Sequence, residues 1–504
     1  MISALISAIL LTTSFPKFYF WPLAWIAFVP VFYGTRQQTS FKKSFLIFYL
    51  FGFFFFFASV EWLRHVSYFG WIFVATKYAL YFGVFGLAVH WFWKRNQFFI
   101  SLFALPSVWV VLEWIRTEVP VWGFGWNLLA YSQSFNLDVA GVASIIGAYG
   151  LSWLILFANV AIFFILDFEI TRKKTEGIIA AVGILALAAT FGVYFTCASE
   201  QNSQPAGQIR SVLVQGNIPQ VKKWDARYRA SILETHEQLS RLGMSKEEHP
   251  DLIVWPEAAY PGFYNIDPER ERIRWLADEL KTPVLFGGLY VDRSDPTRRR
   301  YFNSAYLVFP GSDVAERYDK VRLVSFGEYM PWRKFFGLIG LERLAYSLGV
   351  SDFEAGDQIK IFSLINGRFS VLICFENTFP FLSRKAVNQG AQFLVVVTND
   401  AWFSKSAASY QHLQASVFRA IENGVPLIHV ANTGVSAIID ANGKVVDRIK
   451  DQREHDTFIA GVLNRAVSFG AEKTFYRFRG FLFPYVCLIF IFVGFILTLT
   501  RKML

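Results

Sequence analysis

Charge is scarce in this sequence: charged residues make up 17% of its 504 positions, against about 25% in ordinary globular chains. Cysteine is scarcer still. Of the three, Cys197 and Cys487 fall in or beside apolar runs, which leaves Cys374 as the single thiol of the polar stretch. A lone thiol there signals reactivity, the competing reading being a buried small hydrophobe. No CxxC, HxH or HExxH occurs and the seven His are scattered, so neither a metal nor a cofactor is expected. The absence of GxSxG removes the usual serine esterase signature.

What the chain has in excess is apolar surface. Hydrophobic residues reach 54%, with 55 Phe and 16 Trp. They concentrate in residues 1–198 and 479–500, whereas 199–478 reads like a soluble domain. A helix that crosses a bilayer needs about 20 mostly apolar residues. Eight such segments are read, near 2–15, 18–35, 44–62, 70–93, 97–115, 142–167, 177–197 and 479–500. The first is short, but it lacks the basic flank of a signal peptide and more spans follow at once.

The formal charge of +10 comes partly from short loops between these segments, which suits membrane topology better than nucleic acid. Alternate connections carry Arg36, Lys42, Lys43, Lys94, Arg95, Arg172, Lys173, Lys174, Arg501 and Lys502, and the intervening ones only Lys17, Arg64 and Arg116. Basic loops stay cytoplasmic. Both termini are therefore expected on that side and the 199–478 domain on the other, which in a bacterium is the periplasm. The expected division is 1–198 with seven spans, 199–478 as the catalytic domain, and 479–504 as the last span and tail.

Within 199–478, apolar runs alternate with helical stretches. Strands are predicted at Ser211–Gln215, Leu252–Trp255, Val284–Gly288, Ser304–Val308, Phe369–Ile373, Phe393–Thr398 and Leu427–Ala431. Helices are predicted near 226–242, 267–280, 379–389 and 408–423, followed by a hairpin with a two-residue Asn442-Gly443 turn. Runs such as Phe393–Val397 are apolar on both faces, as in sheets covered on both sides. An α/β fold follows.

Glu257, Lys320 and Cys374 each follow a predicted strand or sit beside one. A thiol must lose its proton to attack a carbonyl, and a carboxylate can take it. A Lys and backbone N–H groups can then hold the oxyanion. These three residue types suffice for acyl transfer through a thioester, although a Glu or Lys after a strand is more often a solvated loop residue.

Trp255-Pro256-Glu257, Lys320 with Phe326-Gly327-Glu328, and Cys374-Phe375-Glu376 together resemble the signatures of the nitrilase, or carbon–nitrogen hydrolase, superfamily. That resemblance implies an αββα sandwich with a Glu base, a Lys and a Cys nucleophile. Over nearly the whole length, the sequence resembles the apolipoprotein N-acyltransferase family of bacterial inner membranes. The residues that carry this are Val214–Gln220 with Trp224, Tyr318–Lys320, Leu323–Glu328, Leu112–Arg116, Asn399–Phe403 and Asn432–Val435. Ser325 departs from the family's usual Pro and Phe375 from its frequent Tyr.

The resemblance implies a two-stage reaction without a cofactor. Cys374 takes an acyl chain from a phospholipid, typically phosphatidylethanolamine, and passes it to the α-amine of a diacylglyceryl-cysteine apolipoprotein. Glu257 acts as base and Lys320 as oxyanion partner. Glu328 and Glu376 orient Lys320 or support it from behind, and Phe375 and Trp224 help position substrate. Two other readings share these residues: a membrane-tethered amidohydrolase with water as acceptor, and a non-catalytic lipid-binding scaffold. Eight spans have no use in the first, and an intact triad argues against the second.

The apolar segment Trp332–Leu341 reads either as core or as an arm that shields the acyl chain. Lys77 and Glu113 lie inside spans, where charges are rare, and Glu113 has Arg116 near it. His412 and His429 are read as core or hydrogen-bond-network residues. The loop charges give a direct test: reporter fusions after Arg36 and after Ser203 should report opposite sides of the membrane, and equal reports would refute the eight-span count.

Overall fold

The computed structural model describes residues 1–36, 38, 40–95, 98–119, 123–167, 183, 206–245, 248–332, 351–470 and 473–500. All but Gly183 of the expected span at 177–197 and all but Trp332 of the apolar segment 332–341 therefore lie outside the described residues.

Five described helices are long and apolar enough to cross a membrane: Phe41–Ser59, Tyr68–Lys94, Ile100–Glu118, Ala143–Leu166 and Gly480–Leu499. Ile2–Thr13 is apolar but only 12 residues long, roughly 18 Å at 1.5 Å per residue. The segment expected as a span at 18–35 is not one helix. A short 3-10 turn at Trp21–Trp25 begins with Pro22, and a separate helix, Val29–Arg36, starts with Val29-Pro30. Proline supplies no N–H to continue a helix. Buried Asn159 fills the gap, accepting from the Phe28 N–H at 2.8 Å and donating to the Ala24 carbonyl at 2.9 Å.

Residues 207–469 form two six-stranded sheets face to face. The first contains β1 (Gly207–Gln215), β2 (Leu252–Val254), β3 (Val284–Asp292), β4 (Arg300–Val308), β5 (Glu316–Asp319) and β12 (Gly461–Phe469), in the order β12-β1-β2-β3-β4-β5. The second runs β11-β10-β9-β8-β7-β6, from β6 (Ile361–Leu364), β7 (Gly367–Ile373), β8 (Phe393–Thr398), β9 (Leu427–Ala431), β10 (Ala437–Ile439) and β11 (Val445–Arg448). Ile209, Leu213, Val254 and Leu285 of one sheet pack on Val371, Ile373, Val395 and Val397 of the other. Helices Arg229–Leu242 and Glu271–Leu280 cover the first sheet's outer face. This is the expected αββα sandwich.

Strands β5, β6 and β12 were not among the sequence expectations, and the hairpin turn differs from the expected form. Asp440 pairs with Lys444 across three residues, with a register shift between Ile438 and Ile439. The Asp440 side chain accepts from the N–H groups of Asn442 and Lys444, and Gly443 takes φ +85°, so the acid stabilises a longer loop than Asn-Gly alone would select.

Helix Ala408–Asn423 joins the sandwich to the membrane helices. Every residue on it but Tyr410 is buried, and one apolar core runs from the membrane segments through this helix to the second sheet. Several of its polar groups find partners on both sides. The Gln411 carboxamide accepts from the Trp62 and Trp126 indoles at 2.9 and 2.7 Å and donates to the Ser59 carbonyl. Arg419 pairs with Glu422 at 2.8 Å and donates to Tyr131 Oη and the Asn377 carbonyl, both at 3.1 Å. Glu422 accepts from the Ala148 N–H at 2.9 Å, just past a break where Gly147 takes φ +70°. Removing one partner of such a pair strands a buried charge, which costs about 3–5 kcal/mol. Arg419→Met should therefore lower the melting temperature in detergent markedly, and Arg419→Met with Glu422→Met should recover most of the loss.

Candidate active site

The ends of β2, β5 and β7 bring three side chains together near the junction of the sandwich with the membrane segments. Glu257 follows β2 after Trp255-Pro256, on a tight turn where Ala258 takes φ +49°. Gly287 on neighbouring β3 allows this, because a Cβ there would lie 2.6 Å from Glu257 Cα. Lys320 follows β5, its N–H held by the Asn303 carbonyl at 2.9 Å. Cys374 follows β7 with φ +53°, a left-handed conformation that costs a non-glycine residue about 1–3 kcal/mol and clusters at functional sites.

Lys320 is fully buried. Its Nζ lies 2.9 Å from Glu328 Oε1 and 3.8 Å from Glu257 Oε1. Asn303 donates through one Nδ2 to both carboxylates at 2.8 Å. The second oxygen of Glu257 accepts from the Asn399 N–H at 2.9 Å, and that of Glu328 from the Val324 N–H at 2.8 Å. Burial alone would depress the Lys320 ammonium, but Glu328, Glu257 and Cys374 outweigh it and hold the group above its ordinary value. Burial, then the Glu257 charge, push the Cys374 thiol up, and Lys320 opposes them. Both charges act on the sulfur, so Glu257, Lys320 and Cys374 influence one another at this junction.

Glu376 points elsewhere. Its fully buried carboxylate accepts from Tyr318 Oη at 2.9 Å and from the N–H groups of Val321, Arg322 and Ile373 at 2.7, 3.0 and 2.8 Å. It ties the strand before Cys374 to the loop after Lys320. Phe375 stacks towards Trp126 and Phe124, with centroids 6.5 and 6.3 Å apart, so residues 124–126 of the membrane portion form one wall beside the turn that carries Cys374. Trp224 is 47% exposed. Its neighbour Lys223 turns inward, fully buried, and donates to the Glu257 carbonyl at 3.1 Å. Burial pulls the Lys223 ammonium down to about 7, with Glu257 partly offsetting. Ser325 bonds Tyr329 Oη at 3.1 Å, and Phe326 beside it is 37% exposed at 6.2 Å from Phe73.

Sequence reasoning missed Asn303, Lys223 and the Phe124–Trp126 wall. Lys223 lay one residue from the Trp that drew attention, and strand-to-loop phase alone does not reveal which of two neighbours faces inward. Among the described residues, no group of three or more His, Cys, Asp or Glu is arranged to hold a metal ion.

Comparison with known proteins agrees with these assignments of fold. Residues 7–161 match the profile of the apolipoprotein N-acyltransferase N-terminal domain, and residues 212–467 that of carbon-nitrogen hydrolase. The apolipoprotein N-acyltransferase of Geobacter metallireducens is 35% identical over 96% of this chain and 92% of its own. That of Chlorobaculum tepidum is 30% identical over 96% and 93%, and that of Haemophilus influenzae 31% over 88% and 85%. Among solved structures, an amidase of the nitrilase superfamily from Nesterenkonia AN1 covers 56% of this chain and 99% of its own, at 19% identity and a TM-score of 0.39.

The position of Glu376 yields a specific expectation. Glu376→Ala orphans three backbone donors at about 1–3 kcal/mol each. Hydrogen exchange at the Ile373, Val321 and Arg322 amides should accelerate by roughly tenfold or more. Unchanged protection there would mean that the carboxylate does not hold the two segments together.

Proposed function

This chain belongs to the apolipoprotein N-acyltransferase family and N-acylates lipoproteins, and from that premise we propose that Cys374 carries the acyl chain as a thioester between two half-reactions. In the first, Glu257 accepts the Cys374 thiol proton as the sulfur attacks the ester carbonyl of a phospholipid, with phosphatidylethanolamine the donor. Lys320 faces the oxyanion. The ester C–O bond then breaks, and Glu257 returns the proton to the departing lysophospholipid alcohol. In the second, the α-amine of a diacylglyceryl-cysteine lipoprotein attacks the thioester and Glu257 accepts the amine proton. The C–S bond breaks, and the sulfur is reprotonated from Glu257.

The observation that carries this reading is that Cys374 lies where the sandwich meets the membrane helices, with Phe124 and Trp126 at the shoulder of Phe375. Both substrates are anchored by acyl chains, and each methylene exposed to water costs about 0.8 kcal/mol. Chemistry on such molecules needs the thiol beside the bilayer, whereas a soluble amide substrate does not. Within the cluster, Glu328 orients Lys320, Asn303 spaces the two carboxylates, and Glu376 and Lys223 position the turns that carry Cys374 and Glu257. Phe375 and Trp224 are assigned to substrate contact. The loop charges support a position for this site on the periplasmic side of a bacterial inner membrane.

Intact-mass measurement after exposure to phospholipid should find one acyl adduct, located on Cys374, that persists until an amine acceptor is added. Cys374→Ser should show none while remaining folded in the membrane. Lys320→Ala should slow adduct formation by roughly a hundred- to a thousandfold, and Glu257→Gln by a similar factor. Transfer by the serine variant at the normal rate would sink the thioester. An adduct that decays equally fast without amine would favour water as the acceptor.

A further inference from the structure

His412 sits within helix Ala408–Asn423, fully buried, directly against the nucleophile's backbone. Its Nε2 lies 3.1 Å from the Cys374 carbonyl oxygen. Its Nδ1 lies 3.1 Å from Asp400 Oδ1 and 3.4 Å from Thr398 Oγ1, and the Thr398 hydroxyl donates to the same Asp400 oxygen at 3.1 Å. A peptide carbonyl only accepts. Asp400 Oδ1 takes the Thr398 hydroxyl hydrogen, so it too is an acceptor.

An imidazole with acceptors at both nitrogens satisfies them only by carrying a hydrogen on each. A neutral ring would set a bare nitrogen lone pair against an oxygen. Two further contacts agree. The ring lies against the Trp126 indole, centroids 5.2 Å apart, and an aromatic face favours a cation. His429, perpendicular at 5.3 Å, is driven down to about 3 by burial and then by His412, so the second ring adds no charge.

We propose that His412 is a buried imidazolium, paired with Asp400, whose positive end faces Cys374 and eases formation of its thiolate. On this assignment two cations act on the developing negative charge, Lys320 from the first sheet and His412 through its contact with the Cys374 carbonyl, from the helix that docks on the membrane segments. Glu257 and Asp400 oppose them. His412 acts through Cys374 and is a positioning residue. The inference rests on the reading of Cys374 as nucleophile.

The test uses the detergent-solubilised full-length chain and neutral iodoacetamide, with Cys374 alkylation followed by peptide mass at pH 8. His412→Gln keeps an N–H donor near the Cys374 carbonyl without the charge. A cation within about 4–6 Å shifts a thiol by one unit or more, so the alkylation rate should fall by about tenfold or more. Asp400→Asn discriminates by sign. If Asp400 holds the ring charged, its loss neutralises His412 and the rate falls; if the ring is neutral in the parent, losing a nearby carboxylate makes the rate rise. Melting temperatures report folding, and Asp400→Asn decides alone if His412→Gln fails to fold. An unchanged rate in a folded His412→Gln, or a rate that is unchanged or rises in Asp400→Asn, overturns the proposal. Neither result touches the acyl-adduct measurement, which stands or falls on Cys374→Ser.

Discussion

Everything in this molecule depends on one helix being acceptable to two unlike environments. Ala408–Asn423 must cover the second sheet as any sandwich helix does, and it must also lie against helices whose outer faces are apolar. Such a helix has no solvent side on which to place polar groups, and each unpaired buried group costs free energy. Its Gln, Arg and Glu side chains are therefore spent on the membrane portion: Gln411 on two indoles and a carbonyl, Arg419 on Tyr131, Glu422 on a helix break at Gly147. Geometry at Cys374 follows from this docking, because Asn377 and Cys374 are held through their carbonyls by Arg419 and His412 of the same helix.

The second organising constraint is the imbalance of charge around Lys320. One ammonium faces two carboxylates, and Asn303 spaces them with a single amide. With one acid committed to the lysine through its nearer contact, the other is left 3.8 Å away and its remaining oxygen sits on a backbone N–H. Glu257 is thus fixed in place by Asn303 and a backbone N–H without a tight ion pair, an arrangement that suits the base role proposed for it.

Much of this was legible in the sequence. Runs such as Phe393–Val397 announced a sheet covered on both faces, and the apolar segments announced the membrane helices. The motifs around Glu257, Lys320 and Cys374 were legible because they occur together and in order, and the fold brings Lys320 beside Glu257. Edge strands were not, since β5, β6 and β12 are partly exposed and mix polar with apolar residues. The break within 18–35 was written in Pro22 and Pro30, but mean apolarity hid it. Glu376 was grouped with Glu328 because both are acids near the triad. Only the fold distinguishes an acid that touches an ammonium from one that holds three peptide N–H groups. His412 carried no signal at all beyond its type.

The wall formed by Phe124 and Trp126 beside Phe375 means that the surroundings of Cys374 do not belong to one part of the chain. Severed from its helices, the sandwich would present an oily, indole-hungry face bearing Gln411 and Arg419 bereft of their partners. Such a fragment would clump with its own kind rather than work as a miniature enzyme. Shuffling the domain onto a different anchor would also require the anchor's aromatic loop to travel with it, so the two parts are bound to be inherited as one unit.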